Sequence, residues 1–219
     1  IKRPSFNTSS TRAGYHRFLD WMRDTLISFE GILLIPRKYE IAKQVLRTCV
    51  RDIKYGLIPN GYAEEDSKPL YNSADASLLL FEQVEKYIKY TNDDKFIKQE
   101  IYPKLENIIE NYSKGIDLDD NNIYLDTDGL IVSGTEYTQN TWMDAKYAGI
   151  AVTPRNGKAV EINAMWYNAL KIMQKLAVKY NEKSKAKRYE KLATKCQKSF
   201  EEKFYNKKRK CLFDVIGDS

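Results

Sequence analysis

Residues 160–200 read VEINAMWYNALKIMQKLAVKYNEKSKAKRYEKLATKCQKSF, and this stretch decides the fold class. Apolar residues recur in it at helical spacing twice, first from Trp166 to Tyr180 and then from Tyr189 to Phe200. A spacing of three or four residues places them on one face of an α-helix. The stretch therefore predicts two amphipathic helices joined by a short connection, which is a helical hairpin.

Apolar residues also recur at helical spacing earlier in the chain. Residues 25–34 are apolar at nearly every position, which predicts a short buried helix that ends before Pro36. Three further apolar stripes follow, at Ile41, Val45, Cys49 and Ile53, at Ala76, Leu80, Val84 and Tyr87, and at Ile97, Ile101, Leu105, Ile108 and Tyr112. Together these segments predict three helical hairpins.

Local signals predict where these helices begin, end and bend. Ser73 is a suitable N-cap for the third helix, and Gly56 and Gly115 are suitable ends for the second and fourth helices. Pro103 lies within the fourth stripe and is expected to kink or divide that helix.

One segment between the fourth and fifth helices has the character of β-structure. NNIYL at residues 121–125 and LIVSG at residues 130–134 flank an Asp-Thr-Asp-Gly turn, which predicts two short strands. The chain is therefore predicted to be a single all-α domain over residues 1–219, with a small β-hairpin near residues 121–135.

The charge is unevenly distributed. The net charge is +6, and residues 171–210 alone carry 15 Lys or Arg against 4 Asp or Glu. Such a basic segment suits nucleic acid or an acidic partner, but its lysine runs lack the interleaved aromatic residues that stack on bases. We favour a solvated lysine-rich face and predict no nucleic-acid partner.

Other classes of protein are disfavoured by composition. No apolar run reaches the roughly 18–20 residues that a membrane helix needs, so no membrane contact is predicted. The three cysteines show no metal-ligand spacing, and their odd number favours a reducing cytoplasm over a disulfide framework. The single histidine, His16, argues against a histidine triad or a multi-histidine metal site. No phosphate-cradling glycine-rich loop is present, so neither metal nor cofactor is predicted.

The segment GTEYTQNTWMDAKYAGIAVTPRNGK at residues 134–158 is the strongest candidate for a functional site. It holds Glu136, Trp142, Asp144, Lys146 and Arg155 between two predicted helices. Ordering a long loop costs conformational entropy, and such a loop contributes little to a core. An aromatic ring, carboxylates and cations held together there indicate a ligand site. The alternative is a surface excursion with solvated charges.

Two further polar clusters lie at predicted helix starts. Arg23 and Asp24 can grip vicinal hydroxyls, one as donor and one as acceptor, or they can form a local salt bridge in which Asp24 caps the next helix. Tyr71, Asn72 and Asp75 open the third helix, where capping is the alternative for the polar side chains.

The last cluster combines Arg155 with Glu161 and Trp166. Glu161 in a first helical turn is favoured by the helix dipole whatever the function, and Trp166 on an apolar stripe is expected in the core unless it faces a ligand. Taken together, the clusters favour a sugar ligand, because sugar sites combine aromatic faces with bidentate polar contacts and a carboxylic acid.

An ordered set of short motifs resembles the C-terminal domain of glycogen debranching enzymes. The motifs are Ala13-Gly-Tyr, Trp21-Met-Arg-Asp, Leu57-Ile-Pro-Asn, Tyr71-Asn-Ser-Ala-Asp-Ala, Thr141-Trp-Met-Asp-Ala, Thr153-Pro-Arg and Val160-Glu-Ile-Asn-Ala-Met-Trp-Tyr. Each is weak alone, but their order and spacing cover nearly the whole chain. The resemblance implies a glucoamylase-like (α/α)6 toroid, of which this chain would be the first half to two-thirds.

The resemblance also implies an activity, namely inverting hydrolysis of α-1,6-linked glucose at branch points of glycogen or a related α-glucan. Asp144 matches the general acid of the family, and Arg23 and Asp24 match the pair that grips the terminal sugar. Trp142 and Trp166 would wall the pocket. The residues around it would be Tyr71, Asn72, Asp75, Lys146, Arg155 and Glu161. No motif in residues 170–219 matches the general base, which is expected beyond Ser219.

Three alternatives remain beside this interpretation. The first is a glucoamylase-like or trehalase-like hydrolase acting on another α-glucoside. The second is a helical scaffold that offers its basic face, residues 171–210, to an acidic partner or RNA. The third is a carbohydrate-binding protein without catalysis.

Overall fold

A computed structural model describes residues 2–3, 8–9, 11, 20–62 and 68–217. The motif that begins at Ala13 and the histidine His16 lie outside the described residues. The helices are α1 (Met22–Phe29), α2 (Tyr39–Arg51), α3 (Ala76–Thr91), α4 (Asp94–Phe96), α5 (Tyr102–Lys114), α6 (Val160–Lys179) and α7 (Lys183–Phe204). A π-helical segment (Glu30–Leu34) extends α1, and a second π-helical segment (Ile97–Ile101) joins α4 to α5. A 3₁₀ turn spans Leu118–Asp120.

The described strands form antiparallel pairs of two residues each. They are β1 (Lys2–Arg3) with β2 (Thr8–Ser9), β3 (Gly61–Tyr62) with β4 (Pro69–Leu70), β5 (Tyr124–Leu125) with β6 (Ile131–Val132), β7 (Lys146–Tyr147) with β8 (Ile150–Ala151), β9 (Lys158–Ala159) with β12 (Val215–Ile216), and β10 (Tyr205–Asn206) with β11 (Cys211–Leu212). The β5–β6 pair confirms the hairpin predicted near residues 121–135. The others were not predicted, because two-residue strands are too short to show an alternating pattern.

The helices form two layers. In one layer α3 lies between α1 and α6, and in the other α2, α5 and α7 pack outside them, with α7 running along α6 as a hairpin. Burial agrees with these positions, since α3 buries side chains on several faces whereas α7 buries a single stripe. This toroid-like arrangement of helical hairpins confirms the predicted all-α fold class. None of the described helices has the length and apolar character needed to cross a membrane.

The inner helices begin at the same end of the layer. The Tyr112 hydroxyl donates to the Ala74 carbonyl oxygen at 2.7 Å, just before α3 begins. The Tyr112 ring stacks on Trp166 of α6, with centroids 6.1 Å apart and planes 13° apart. The ion pair between Arg23 in α1 and Asp75 joins the starts of α1 and α3. These contacts gather the starts of α1 and α3 and the second turn of α6 around one surface.

The predicted helix boundaries hold in part. The N-cap of α3 is Asp75 rather than the predicted Ser73, although Ser73 Oγ accepts a hydrogen bond from the Ala76 backbone N–H at 3.1 Å. Pro103 lies in the first turn of α5, after the π-helical segment, so the fourth stripe is divided as expected. Gly115 ends α5 with a φ of 106°.

The second helix ends earlier than predicted, at Arg51. Lys54 and Leu57 exchange backbone hydrogen bonds of 3.0 and 2.9 Å in a tight turn that replaces the last predicted turn of helix. Gly56 has a φ of 77°, and a Cβ there would lie 2.6 Å from the Cβ of Asn111. The turn therefore requires glycine for its backbone conformation and for close approach to α5.

A buried lysine ties the β5–β6 turn to the start of α6. Lys158 is 1% exposed, and its Nζ donates to Asp126 at 2.6 Å and to Asp128 at 2.9 Å. Lys203 of α7 donates to the same Asp128 carboxylate at 2.6 Å. A buried ammonium is tolerated when carboxylates compensate its charge. The cluster thereby fixes the hairpin and the end of the long loop against α6 and α7.

We expect Lys158→Met to cost about 2 kcal/mol of unfolding free energy, since charged hydrogen bonds of this kind contribute about 1.5–3 kcal/mol. Hydrogen bonding from Lys158 lowers the pKa of Asp126 below its ordinary value of 3.8. The stability that the Lys158–Asp126 pair contributes is present above pH ~4 and is lost as the pH falls through the lowered pKa of Asp126. We therefore expect the free energy of unfolding, measured with urea between pH 2 and 7, to fall less toward low pH in Lys158→Met than in the unsubstituted protein. An equal fall toward low pH in the two proteins would show that Lys158 does not stabilise the fold through the Asp126 carboxylate.

Candidate active site

A cleft of about 590 Å³ opens at the starts of α1 and α3. Its walls come from the first turns of α1, from the segment before α3 and from residues 139–146 of the long loop. The lining residues are Trp21, Arg23, Asp24, Ile27, Asn72, Gln139, Trp142, Asp144 and Lys146. The structure thus brings together six of the predicted site residues, which come from three separate parts of the sequence.

Arg23 is the central side chain of the cleft. Its guanidinium binds Asp75 in bidentate fashion, with Nε to Oδ2 at 2.6 Å and Nη2 to Oδ1 at 3.1 Å. Nη1 donates to Asp144 Oδ2 at 2.6 Å, and Nη2 also donates to the Thr141 carbonyl oxygen at 3.0 Å. Arg23 therefore joins α1, the start of α3 and the loop that carries Asp144.

Electrostatics hold Arg23 in its charged form. Burial of the side chain opposes the charge, but Asp75 and then Asp144 outweigh it, so that the pKa of Arg23 is raised above its ordinary value. The long-range pair with Asp75 was not predicted, and neither was the pairing of Arg23 with Asp144. The predicted alternative of a salt bridge between the neighbours Arg23 and Asp24 is not what the structure shows.

Asp75 lies behind Arg23 rather than at the cleft surface. It is 2% exposed, and its carboxylate also accepts a hydrogen bond from Ser73 Oγ. Asp75 is the N-cap residue of α3, but the side chain that accepts the capping hydrogen bond is that of Ser73. The predicted contact between Asp75 and a ligand is therefore corrected: Asp75 acts by positioning Arg23.

Asp144 and Trp142 face the open side of the cleft. The Asp144 side chain is 35% exposed, and one of its oxygens is bound by Arg23. Trp142 is 58% exposed, which is unusual for an indole unless it meets a ligand or a partner. Asp24 and Lys146 are exposed on either wall, and Asn72 is half-buried between them.

Two predicted site residues belong to the core or the scaffold. Trp166 is fully buried against Tyr112, so the prediction that it walls the pocket is wrong, and the core alternative holds. Tyr71 is buried, and its hydroxyl donates to the Asp52 carbonyl oxygen at 2.7 Å, away from the cleft lining.

Arg155 and Glu161 form a separate pair that does not line the cleft. Arg155 Nη2 donates to Glu161 Oε2 at 2.7 Å and to Asp214 Oδ1 at 2.7 Å. Hydrogen bonding to Glu161 and then to Asp214 raises the pKa of Arg155 above its ordinary value. The pair joins the end of the long loop to the start of α6, and it acts there as a structural link.

Three cleft residues were not among the predicted site residues. Trp21 adjoins the predicted Arg23–Asp24 pair in sequence, and a Cβ on Gly61 would lie 3.3 Å from its ring. Ile27 lies one helical turn after Arg23, and Gln139 lies in the long loop before Trp142. These three residues are close in sequence to predicted site residues. Closeness in sequence does not show which side chain points into the cleft.

The cleft combines an aromatic face, one exposed and one half-buried carboxylate, and two cations, of which Arg23 lies in the first turn of α1. Such a surface can stack on a sugar ring, bind hydroxyl groups and exchange a proton with a glycosidic oxygen. Within the part of the chain that the structure describes, no group of three or more His, Cys, Asp or Glu side chains could hold a metal ion.

The sequence and fold match proteins of known type. The family described as amylo-alpha-1,6-glucosidase matches residues 1–219. The glycogen debranching enzyme of Saccharomyces cerevisiae is 29% identical over 229 residues, an alignment that covers 79% of this chain and 15% of the yeast protein.

A crystal structure of a GH78 family rhamnosidase of Bacillus sp. GL1 shares the fold, with a TM-score of 0.64 at 16% identity. That match covers 90% of this chain and 19% of the rhamnosidase chain. The chain thus spans less than a fifth of the length of either relative. Because the family match runs over all 219 residues, the chain belongs to the amylo-alpha-1,6-glucosidase family.

Proposed function

We propose that this chain forms the acid-bearing part of an amylo-α-1,6-glucosidase active site, as in a glycogen debranching enzyme. The substrate would be the α-1,6-linked glucose at a branch point of glycogen or a related α-glucan. The observation that carries the proposal is the meeting of Asp144, Arg23, Asp24 and Trp142 in one cleft. The family membership and the similarity to the yeast enzyme support it.

In the proposed mechanism Asp144 protonates the glycosidic oxygen as the bond breaks. A second carboxylate deprotonates water on the opposite face of the sugar ring, and inversion places the two carboxyls about 6.5–9.5 Å apart. We assign no general base within residues 1–219 and expect other residues of a longer protein to supply it. Trp142 would stack on the sugar, and Asp24 would accept hydrogen bonds from its hydroxyls.

The contact between Arg23 and Asp144 has a consequence for this mechanism. An ion pair requires a charged carboxylate, whereas a general acid must hold a proton. When Asp144 is protonated, its contact with Arg23 weakens to a hydrogen bond with a neutral group, and a sugar hydroxyl is a suitable acceptor to replace it at Nη1. Asp75 keeps the guanidinium in place during this exchange, because it binds the other edge of Arg23.

The substrate class can be tested with a panel of α-glucosides and the full-length protein that carries this sequence. We expect glucose release from phosphorylase-limit dextrin to exceed release from isomaltose, maltose and trehalose in kcat/KM. The reason is that a branched glucan can use contacts beyond the terminal sugar. A preference for maltose or trehalose would instead support a glucoamylase-like or trehalase-like enzyme. The proposal includes a cytoplasmic location, which rests on the cysteine content.

A further inference from the structure

A second groove, of about 560 Å³, is lined in part by the loop that carries Asp144. Residues 134–137 line this groove, and residues 139–146 of the same loop line the cleft described above. The lining residues are Asp120, Asn122, Val132, Gly134, Thr135, Glu136, Tyr137, Asn156 and Gly157. The groove and the cleft therefore open from one continuous loop.

The chemistry of the lining selects a class of ligand. Asp120 and Glu136 provide carboxylates, Asn122 and Asn156 provide amides, and Tyr137 provides a ring. Lysine and arginine are absent from this lining, which disfavours a phosphate, a nucleic acid or an acidic peptide. Two carboxylates are few for a divalent cation site. Acceptors, amide groups and an aromatic face together suit a neutral polyhydroxylated ligand.

The groove has side chains free to receive such a ligand. Tyr137 is 70% exposed, and it lines the groove beside Glu136. Across the groove, the Asp120 and Asn156 side chains are exposed, and neither forms a hydrogen bond or ion pair within the described part of the chain.

The floor of the groove is preformed. Ser133 and Gly157 exchange backbone hydrogen bonds of 2.9 and 3.1 Å, which joins the two ends of the long loop. Gly157 has a φ of 104°, and a Cβ there would lie 2.8 Å from the Ile216 carbonyl oxygen. Gly134 has a φ of 83° beside Thr138. Glycine permits these positive φ angles, and the Ser133–Gly157 hydrogen bonds hold the two ends of the loop together before a ligand binds, which lowers the cost of binding.

We propose that this groove is a second α-glucan site, at which Tyr137 and Glu136 bind a sugar unit of the chain whose branch occupies the cleft. The inference rests on the proposed function. Trp142 lies five positions after Tyr137, which limits the distance between their Cα atoms to at most about 18 Å. A short oligosaccharide can span a distance of this order.

Binding of maltoheptaose to the full-length protein tests the proposal by calorimetry, independently of hydrolysis. We expect Tyr137→Ala to weaken the affinity by about fivefold to tenfold, as the loss of one aromatic contact does. Glu136→Gln is expected to weaken it about threefold, because the amide keeps one acceptor and loses the charge. On limit dextrin, Tyr137→Ala should raise KM and leave kcat nearly unchanged.

Tyr205→Ala is the matched control, since Tyr205 is an exposed tyrosine in β10, outside both openings. Unchanged maltoheptaose affinity in Tyr137→Ala, or an equal loss in Tyr205→Ala, would overturn the second site. Calcium binding that Glu136→Gln abolishes, without any change in glucan affinity, would also overturn it. If the unsubstituted protein binds maltoheptaose but releases no glucose from limit dextrin, the proposed function fails and the groove is still tested by the affinities.

Discussion

Asp144→Asn is expected to lower the rate of glucose release from phosphorylase-limit dextrin by at least about 10²-fold, because general acid catalysis contributes about 10²–10⁴-fold. The substitution removes the only proton that the side chain could deliver and keeps its shape. The asparagine carbonyl oxygen can still accept the hydrogen bond from Arg23 Nη1, which is 2.6 Å long in the structure. The variant should therefore fold normally and bind the glucan.

The nature of the leaving group separates acid catalysis from binding. α-Glucosyl fluoride releases fluoride without prior protonation, so the Asp144→Asn variant should hydrolyse it much closer to the normal rate than limit dextrin. Glu190→Gln makes the same chemical change at an exposed position of α7 and should have no effect on either substrate. Equal losses on both substrates would show that Asp144 binds the sugar rather than protonating the oxygen, and near-normal release from limit dextrin would remove it from the mechanism altogether.

The helices could be predicted because their signals are local. The spacing of apolar residues in α6 and α7 and the position of Pro103 act within a few turns of helix, and the structure agrees with them. The end of α2 was missed because Gly56 serves a tight turn packed against Asn111 of α5. That contact depends on residues far apart in sequence, which a local pattern does not contain.

The site could be predicted only as a set of candidates. The sequence predicted Arg23, Trp142 and Asp144 as residues of one site, and all three line the same cleft in the structure. The direction in which a side chain points was not predictable, so Trp166 was placed in the pocket although it packs on Tyr112. A buried tryptophan and a cleft tryptophan can share the same helical pattern, and only tertiary packing distinguishes them.

The pairing of Arg23 with Asp75 was the least predictable feature, because the two residues are 52 positions apart in the sequence. Asp75→Asn is expected to cost about 3 kcal/mol of unfolding free energy, since breaking a buried ion pair by removing one partner costs about 3–5 kcal/mol. The bidentate contact from Asp75 satisfies two donors of a guanidinium that is almost inaccessible to water. An asparagine at position 75 offers one acceptor and directs amide hydrogens at the Arg23 guanidinium. Among the described residues, Asp144 would then be the one carboxylate that still binds Arg23.

A double-mutant cycle, measured by urea unfolding, shows whether the loss of unfolding free energy in Asp75→Asn comes from its ion pair with Arg23. Arg23→Met combined with Asp75→Asn should destabilise less than the sum of the two single variants by at least about 1 kcal/mol, because the second substitution removes a charge that the first left uncompensated. The matched control is the bidentate pair of Arg47 with Glu100, which has contacts of 2.7 and 2.6 Å but is exposed. Glu100→Gln should cost less than about 1 kcal/mol. Additive effects in the cycle, or a cost for Asp75→Asn as small as that of the control, would mean that Asp75 does not hold Arg23 in place. Asp144 would then depend on other contacts for its position in the cleft.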